Sequence, residues 1–359
     1  MTDAVGTGCG MIWRDMTGRA RASGPPRTTH WRGIGCALVV VSMLTGCGQG
    51  VPDRRADAEQ LTSQLRSMPG VLAATSDVAD NVPQGEVHSW LSVEVAEDAT
   101  ADQVAAITSR YLEGLRTVDY SGYQTQLDVQ RGANRYSVDS GRRAVTDVDQ
   151  IVAQARDWVA LRREFPSATV ELRATITHPP VAAPDLDPGH PLLGTVEFAD
   201  TAGYPTVSAA MNTFGARYPQ LAGGTWTIGA GKTFVTSTGR LPNAQELSVW
   251  NTLNGDQTIP HVTVMRVNAP LSPPVWMSDD TDSRDPATAV QLADRHLPVV
   301  ATLPAPVLYT ATDQPQAYRD FYGKSTAPVA VTVGGCTTRG YRPVPAEQAL
   351  IDRYENCRR

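Results

Sequence analysis

Gly229-Ala230-Gly231-Lys232-Thr233 ends as a phosphate-binding loop does: glycines free the backbone N–H groups and a lysine could reach a terminal phosphate. The motif also needs a glycine five residues before Gly231, and Trp226 stands there. The flanking residues alternate as a hairpin rather than as strand, loop and helix, so a turn is expected. Asp280-Thr281-Asp282-Ser283 opens like a calcium loop, but Arg284 and Asp285 fill positions five and six, and Gln291 replaces the closing glutamate. The plainer expectation is an acidic loop in which Asp285, before Pro286, caps a helix. His178, Asp185, Asp187 and His190 have ligand chemistry within one segment. The prolines among them stiffen the path, and the spacing fits neither a helix face nor a zinc knuckle.

Hydrolytic chemistry fares no better. Ser237 has Gly239 after it but Val235 where a nucleophile elbow needs glycine. Gly229 and Phe321 sit three residues before the two lysines, so Ser-x-x-Lys is absent, as is His-Glu-x-x-His. A triad assembled from distant residues stays open, because triads are defined by geometry. Tyr204 and Tyr341, each near a helix start, read as hydrophobic staples, with a shared ligand platform as the other reading. No catalytic residue, cofactor site or metal site is assigned.

The elements that must position any site are legible from periodicity. The 359 residues carry 31 basic and 37 acidic side chains, a net charge of −6, and 41% hydrophobic residues. That is enough for several small domains or one large one and too well balanced for a disordered chain. No basic stripe is present, which argues against nucleic acid as a partner.

Residues 1–30 bear Arg14, Arg19, Arg21 and Arg27 without apolar periodicity, and a short apolar run from Ile34 to Leu44 follows. The run is about half the roughly 20 residues a membrane-spanning helix needs, and it ends on small residues, as an export signal does. Leu44-Thr45-Gly46-Cys47 resembles the lipobox of bacterial lipoprotein precursors, of the kind found in GC-rich actinobacterial envelopes. The resemblance covers residues 30–47 only. It implies cleavage before Cys47, a diacylglyceryl thioether on that cysteine, and residence at the cell membrane on its extracytoplasmic face. Translation could start at Met11 or Met16 in place of Met1. Removal of residues 1–46 leaves 313 residues with 26 basic and 35 acidic side chains, a net charge of −9.

Cys9 and Cys36 leave with such a signal and Cys47 is consumed, so Cys336 and Cys357 remain. An even remainder outside the cytoplasm reads as a disulfide, against free thiols or half of a metal site. Its loop of about 22 residues is worth roughly 3 kcal/mol in the chain-entropy model.

Beyond a tether at 47–55 the chain repeats a helix–strand–strand cadence. Stripes at Ala58–Met68, Val104–Leu115, Val148–Leu161, Val207–Tyr218, Ala244–Leu253, Ala287–Leu297 and Pro345–Asn356 predict seven helices. Alternating or β-branched runs between them predict paired strands. Gly203-Tyr204-Pro205 and Gly340-Tyr341-Arg342, and the helix starts near 100 and 242, suggest an internal duplication. The expected fold class is α+β, with tandem split-βαβ (ferredoxin-like) modules at 56–178, 192–267 and 274–359. A Pro-rich linker at 179–191 would separate the first two. The expected function is non-catalytic: a lipid-anchored envelope protein that binds or scaffolds an unknown envelope protein. A binder of a small ligand (lipid, peptide or wall fragment) is the alternative, and a hydrolase with a dispersed triad a more distant one.

Overall fold

The computed structural model describes residues 51–179, 190–269, 272–312 and 328–357. Cys47, Asp185 and Asp187 lie outside them. Gln49–Arg359 forms one compact unit. Its helices are α1 (Arg55–Arg66), α2 (Ala101–Thr117), α3 (Val148–Glu164), α4 (Gly203–Arg217), α5 (Ala244–Gly255), α6 (Pro286–Val300) and α7 (Pro345–Tyr354). The strands are β1 (Val71–Asn81), β2 (Glu86–Val95), β3 (Gln124–Arg131), β4 (Asn134–Gly141), β5 (Ala168–Arg173) and β6 (Leu193–Phe198), then β7 (Thr225–Ala230), β8 (Thr233–Thr238), β9 (Val262–Val267), β10 (Val275–Asp280), β11 (Val307–Thr312) and β12 (Val329–Val333).

All twelve strands join one mixed sheet in plain chain order, β1 to β12. The two strands after each helix pair antiparallel, and strands on either side of a helix pair parallel, as β2 does with β3 and β8 with β9. The cadence is therefore six helix–strand–strand units in a row, followed by α7. A split βαβ unit needs another strand lodged between the two parallel ones, and here those strands are direct neighbours. The ferredoxin-like order is thus replaced by a sequential one. Short loops at 96–100 and 118–123 return the chain from α2 to the adjacent sheet position. The same sheet runs through all three expected modules, since β5 pairs with β6 and β9 with β10.

One continuous apolar core takes residues from all seven helices and the alternate positions of the strands, so the helices line one face. Trp158, Trp226 and Trp250 are fully buried in it, and each donates its indole N–H to a carbonyl, of Val170 (3.2 Å), Leu221 (2.8 Å) and Thr263 (2.8 Å). Truncating any of them to Ala would cost about 3–5 kcal/mol. The opposite face of β2–β8 alternates to partly exposed residues, whereas β11 and β12 are buried on both faces.

Helix starts agree with their sequence signals. Thr100 and Gln103 form a capping box on α2, and Asn243 and Glu246 form another on α5. Helices α5, α6 and α7 start 138–143 residues after α2, α3 and α4, the spacing expected of an internal repeat.

Candidate functional site

A cavity of about 500 Å³ opens between the C-terminal end of α2 and the N-terminal end of α3. Helix α2 turns Leu112 and Leu115 inward on its apolar stripe, and Gly114 lets α1 approach: a Cβ there would lie 2.8 Å from Leu61 Cδ2. Val118 continues the apolar wall, and Val145 and Val148 close it from the α3 side. The loop 118–123 is braced by Asp119, whose carboxylate accepts from Ser121 N (2.9 Å) and Oγ (2.5 Å). Those bonds hold the Asp119 carboxyl below its ordinary range. Tyr120 and Tyr123 stand edge to face, 6.0 Å apart, and burial pushes the Tyr120 hydroxyl up to about 12.

Arg116, Arg142 and Arg143 bring positive charge to the rim. Arg116 lies in the last turn of α2, where the helix dipole favours a cation. Arg143 donates to the Pro179 carbonyl (2.7 Å), and Thr146 fastens the same loop to the Thr177 carbonyl through its N–H (2.8 Å) and hydroxyl (2.7 Å). Among the described residues, the lining includes no histidine, cysteine or glutamate, and its one carboxylate, Asp119, serves the 118–123 loop.

A second cluster is chemically richer and fully enclosed. Asp279 on β10 is 0% exposed and accepts from Thr263 Oγ1 (2.7 Å), His296 Nδ1 (2.5 Å) and the Tyr309 hydroxyl. Sheet register sets this up, because Thr263 is the β9 partner of Asp279, and α6 lays His296 over it. His261, Asp279 and His296 bring potential ligand atoms within 4.8 Å of one another, the donor set of a metal site. The His261 ring also faces the backbone. Its Nδ1 lies 2.7 Å from the Ile259 carbonyl and its Nε2 3.1 Å from the Leu253 carbonyl. Asp279 lies 4.0 Å from its Nε2. Through Asp279 the cluster knits β9, β10, β11 and α6 together.

The remaining sequence candidates are dispersed. The Gly229–Thr233 stretch is the β7–β8 hairpin, with Gly231 at φ +58°. Lys232 reaches Asp282 at 3.2 Å on the surface. Asp285 caps α6 through Ala287 N (2.9 Å), and Asp280 belongs to β10. His190 faces Asp139 at 3.5 Å, and His178 faces the Ala144 carbonyl at 3.3 Å, so these two histidines serve different partners.

Tyr204 lies inside the first turn of α4 and packs edge-on against Trp250, whereas Tyr341 donates to Glu347 (2.5 Å). They form no shared platform. Glu347 and Glu355 instead accept the outward N–H groups of β12 at Ala330 (3.3 Å) and Thr332 (2.9 Å), while Arg339 serves the Ala330 carbonyl and Glu355. Side chains thereby occupy the edge that would otherwise recruit another strand. Cys336 and Cys357 are disulfide-bonded, with Cα atoms 4.9 Å apart, and tie the chain after β12 to the chain after α7.

Sequence reasoning missed the pocket, because its lining is scattered over residues 112–148 without a motif. It also missed the Asp279 cluster, for which two apolar-face histidines were the only trace. No protein-family model, curated protein or solved structure matches the chain. Among the described residues, no helix is long and apolar enough to cross a membrane.

Proposed function

We propose that this is a lipid-anchored, extracytoplasmic binding protein that holds a small amphipathic ligand in the α2–α3 pocket. The observation that carries the reading is the pocket itself: a cavity of about 500 Å³ with apolar walls and three arginines at its rim. Such a combination suits a molecule with an apolar body and an anionic end. The lipobox-like Leu44-Thr45-Gly46-Cys47 supports the anchor, and the Cys336–Cys357 disulfide suits an oxidising compartment. The similar spacing of α2–α4 and α5–α7 supports descent of the fold by internal duplication.

A thermal-shift screen of the chain from Gln49 against fractions of a bacterial envelope extract tests the reading. A ligand at a hundredfold excess over its Kd adds about 2.7 kcal/mol to stability, a readily measured rise in Tm. The expected result is a fraction that stabilises the wild type but not Ala144→Trp, which fills the pocket mouth. Equal stabilisation of both, or of neither, contradicts the pocket as the binding site.

A second reading rests on a different observation. The uncovered sheet face holds a polar groove of about 480 Å³ with Arg135, Glu171 and Arg173 among its lining residues. That surface suits a hydrophilic protein partner, as a scaffold would need. Chemical cross-linking in intact cells, followed by Arg135→Ala with Arg173→Ala, distinguishes it: loss of a specific cross-linked companion supports docking there.

A further inference from the structure

We infer that His261, Asp279 and His296 hold a divalent transition-metal ion of the zinc class as a structural centre beneath α6. The inference goes beyond the binding reading and does not depend on the α2–α3 pocket.

The two imidazole rings supply the first support. A neutral imidazole carries one N–H and one lone pair. His261 turns Nδ1 to the Ile259 carbonyl (2.7 Å) and Nε2 to the Leu253 carbonyl (3.1 Å), two acceptors for one proton. The shorter contact is the better place for that proton, which leaves the Nε2 lone pair against a carbonyl oxygen. His296 has the opposite defect. Its Nδ1 lies 2.5 Å from Asp279 Oδ2, while its Nε2 is buried without a hydrogen-bond partner among the described residues. A cation bound by His261 Nε2 and His296 Nδ1 answers both. It takes the lone pair that the first ring has to give, and it sends the proton of the second ring to Nε2, which faces Asp256 Oδ2 at 3.7 Å. Each ring is then held from behind by an oxygen, of Ile259 or Asp256, as metal-binding histidines are.

Asp279 supplies the second. Its Oδ1 accepts from Thr263 and lies 4.0 Å from His261 Nε2, and its Oδ2 accepts from Tyr309 and His296. A carboxylate offers about four lone pairs. With the His296 proton displaced, two hydroxyl groups still orient Asp279, and each oxygen keeps a lone pair for the ion. The ligand atoms of the three residues lie within 4.8 Å of one another. Bonds of about 2.0–2.1 Å set the ligands of a tetrahedral ion roughly 3.3 Å apart, so side-chain shifts of about an ångström complete the shell. The Leu253 carbonyl, already beside His261 Nε2, stands where a fourth ligand is needed.

Enclosure and donor type name the class of ion. The side chains of His261 and Asp279 are 0% exposed and that of His296 2%. A closed shell of protein ligands belongs to a structural ion, since a catalytic one keeps an open position. Two imidazoles and a carboxylate, with no thiolate, suit zinc or cobalt better than copper(I), calcium or magnesium. The ion would fasten the 253–261 turn to β10 and α6.

The full chain, purified in detergent, is stripped by chelator in urea, refolded, and titrated with the chlorides of zinc, cobalt, calcium and magnesium. Metal content and melting temperature are read at each step. The expected result is one zinc or cobalt ion per chain, a rise in Tm, and the visible absorption of tetrahedral cobalt; calcium and magnesium should leave Tm unchanged. His261→Gln and His296→Gln should each weaken zinc more than about a hundredfold, and Asp256→Asn, which acts only through His296, by about 10–100-fold. His190→Gln, in the separate pair with Asp139, is the control and should bind as the wild type does.

A wild type that takes up no zinc and gains no stability overturns the inference and returns His261 to a doubly protonated ring. Stoichiometric zinc retained by both His261→Gln and His296→Gln overturns it too, because the ion then sits elsewhere, and so does calcium bound as tightly as zinc. Should the variants fail to fold, the wild-type cobalt spectrum still decides, since absence of the tetrahedral bands contradicts the shell. None of these readouts involves the α2–α3 pocket, so the binding reading stands or falls on its own test.

Discussion

Asp279→Ala should be among the most damaging single substitutions in the molecule. The carboxylate is fully enclosed and serves Thr263, His296 and Tyr309, with the His261 ring 4.0 Å away. Its removal leaves two hydroxyl groups and the His296 ring without their acceptor. Each orphaned buried polar group costs about 1–3 kcal/mol. These costs overlap, because the cavity left by the side chain can admit water, so a net loss of about 3–5 kcal/mol is expected. That is a large share of the 5–15 kcal/mol typical of a folded domain.

Urea unfolding followed by tryptophan fluorescence reads it. With a slope of about 3 kcal/mol/M, the midpoint should fall by roughly 1–1.7 M. Asp282→Asn, whose side chain is 97% exposed, is the control and should leave the midpoint in place. A shift below about 0.3 M for Asp279→Ala would refute the reasoning from its buried partners.

Replacing Cys336 and Cys357 with Ser should cost about 3 kcal/mol, and the denatured, unreduced wild type should take up no alkylating reagent at either position. Burial pushes the Glu347 carboxyl above its ordinary 4.5, so the folded chain holds a proton that the unfolded chain releases. Stability should therefore decline as pH rises from about 4.5, and a pH series of melting curves should show Glu347→Gln lacking that decline; parallel curves would contradict it. Cys47→Ala should leave an uncleaved precursor in the aqueous phase of a detergent partition, and unchanged partitioning would remove the anchor.

Much of the fold was legible in the sequence because its signals are local. The Asp285-Pro286 start of α6, for one, is decided within a single turn of chain. The order of strands was not, because periodicity specifies an element and the face it buries but not which neighbour it pairs with. β1, an edge strand, buries little and shows no clean alternation. The pocket escaped for a related reason. Leu112, Tyr123 and Val148 are ordinary core residues until the α2–α3 crossing leaves a gap between them.

The binding reading meets its most direct test in native mass spectrometry of the acylated protein, gently extracted from its own membranes, beside the Ala144→Trp variant. The expected result is an added small-molecule mass on the wild type that leaves on denaturation and is missing from the variant. A bare acylated chain in both, or the same added mass on both, would contradict a ligand held between α2 and α3.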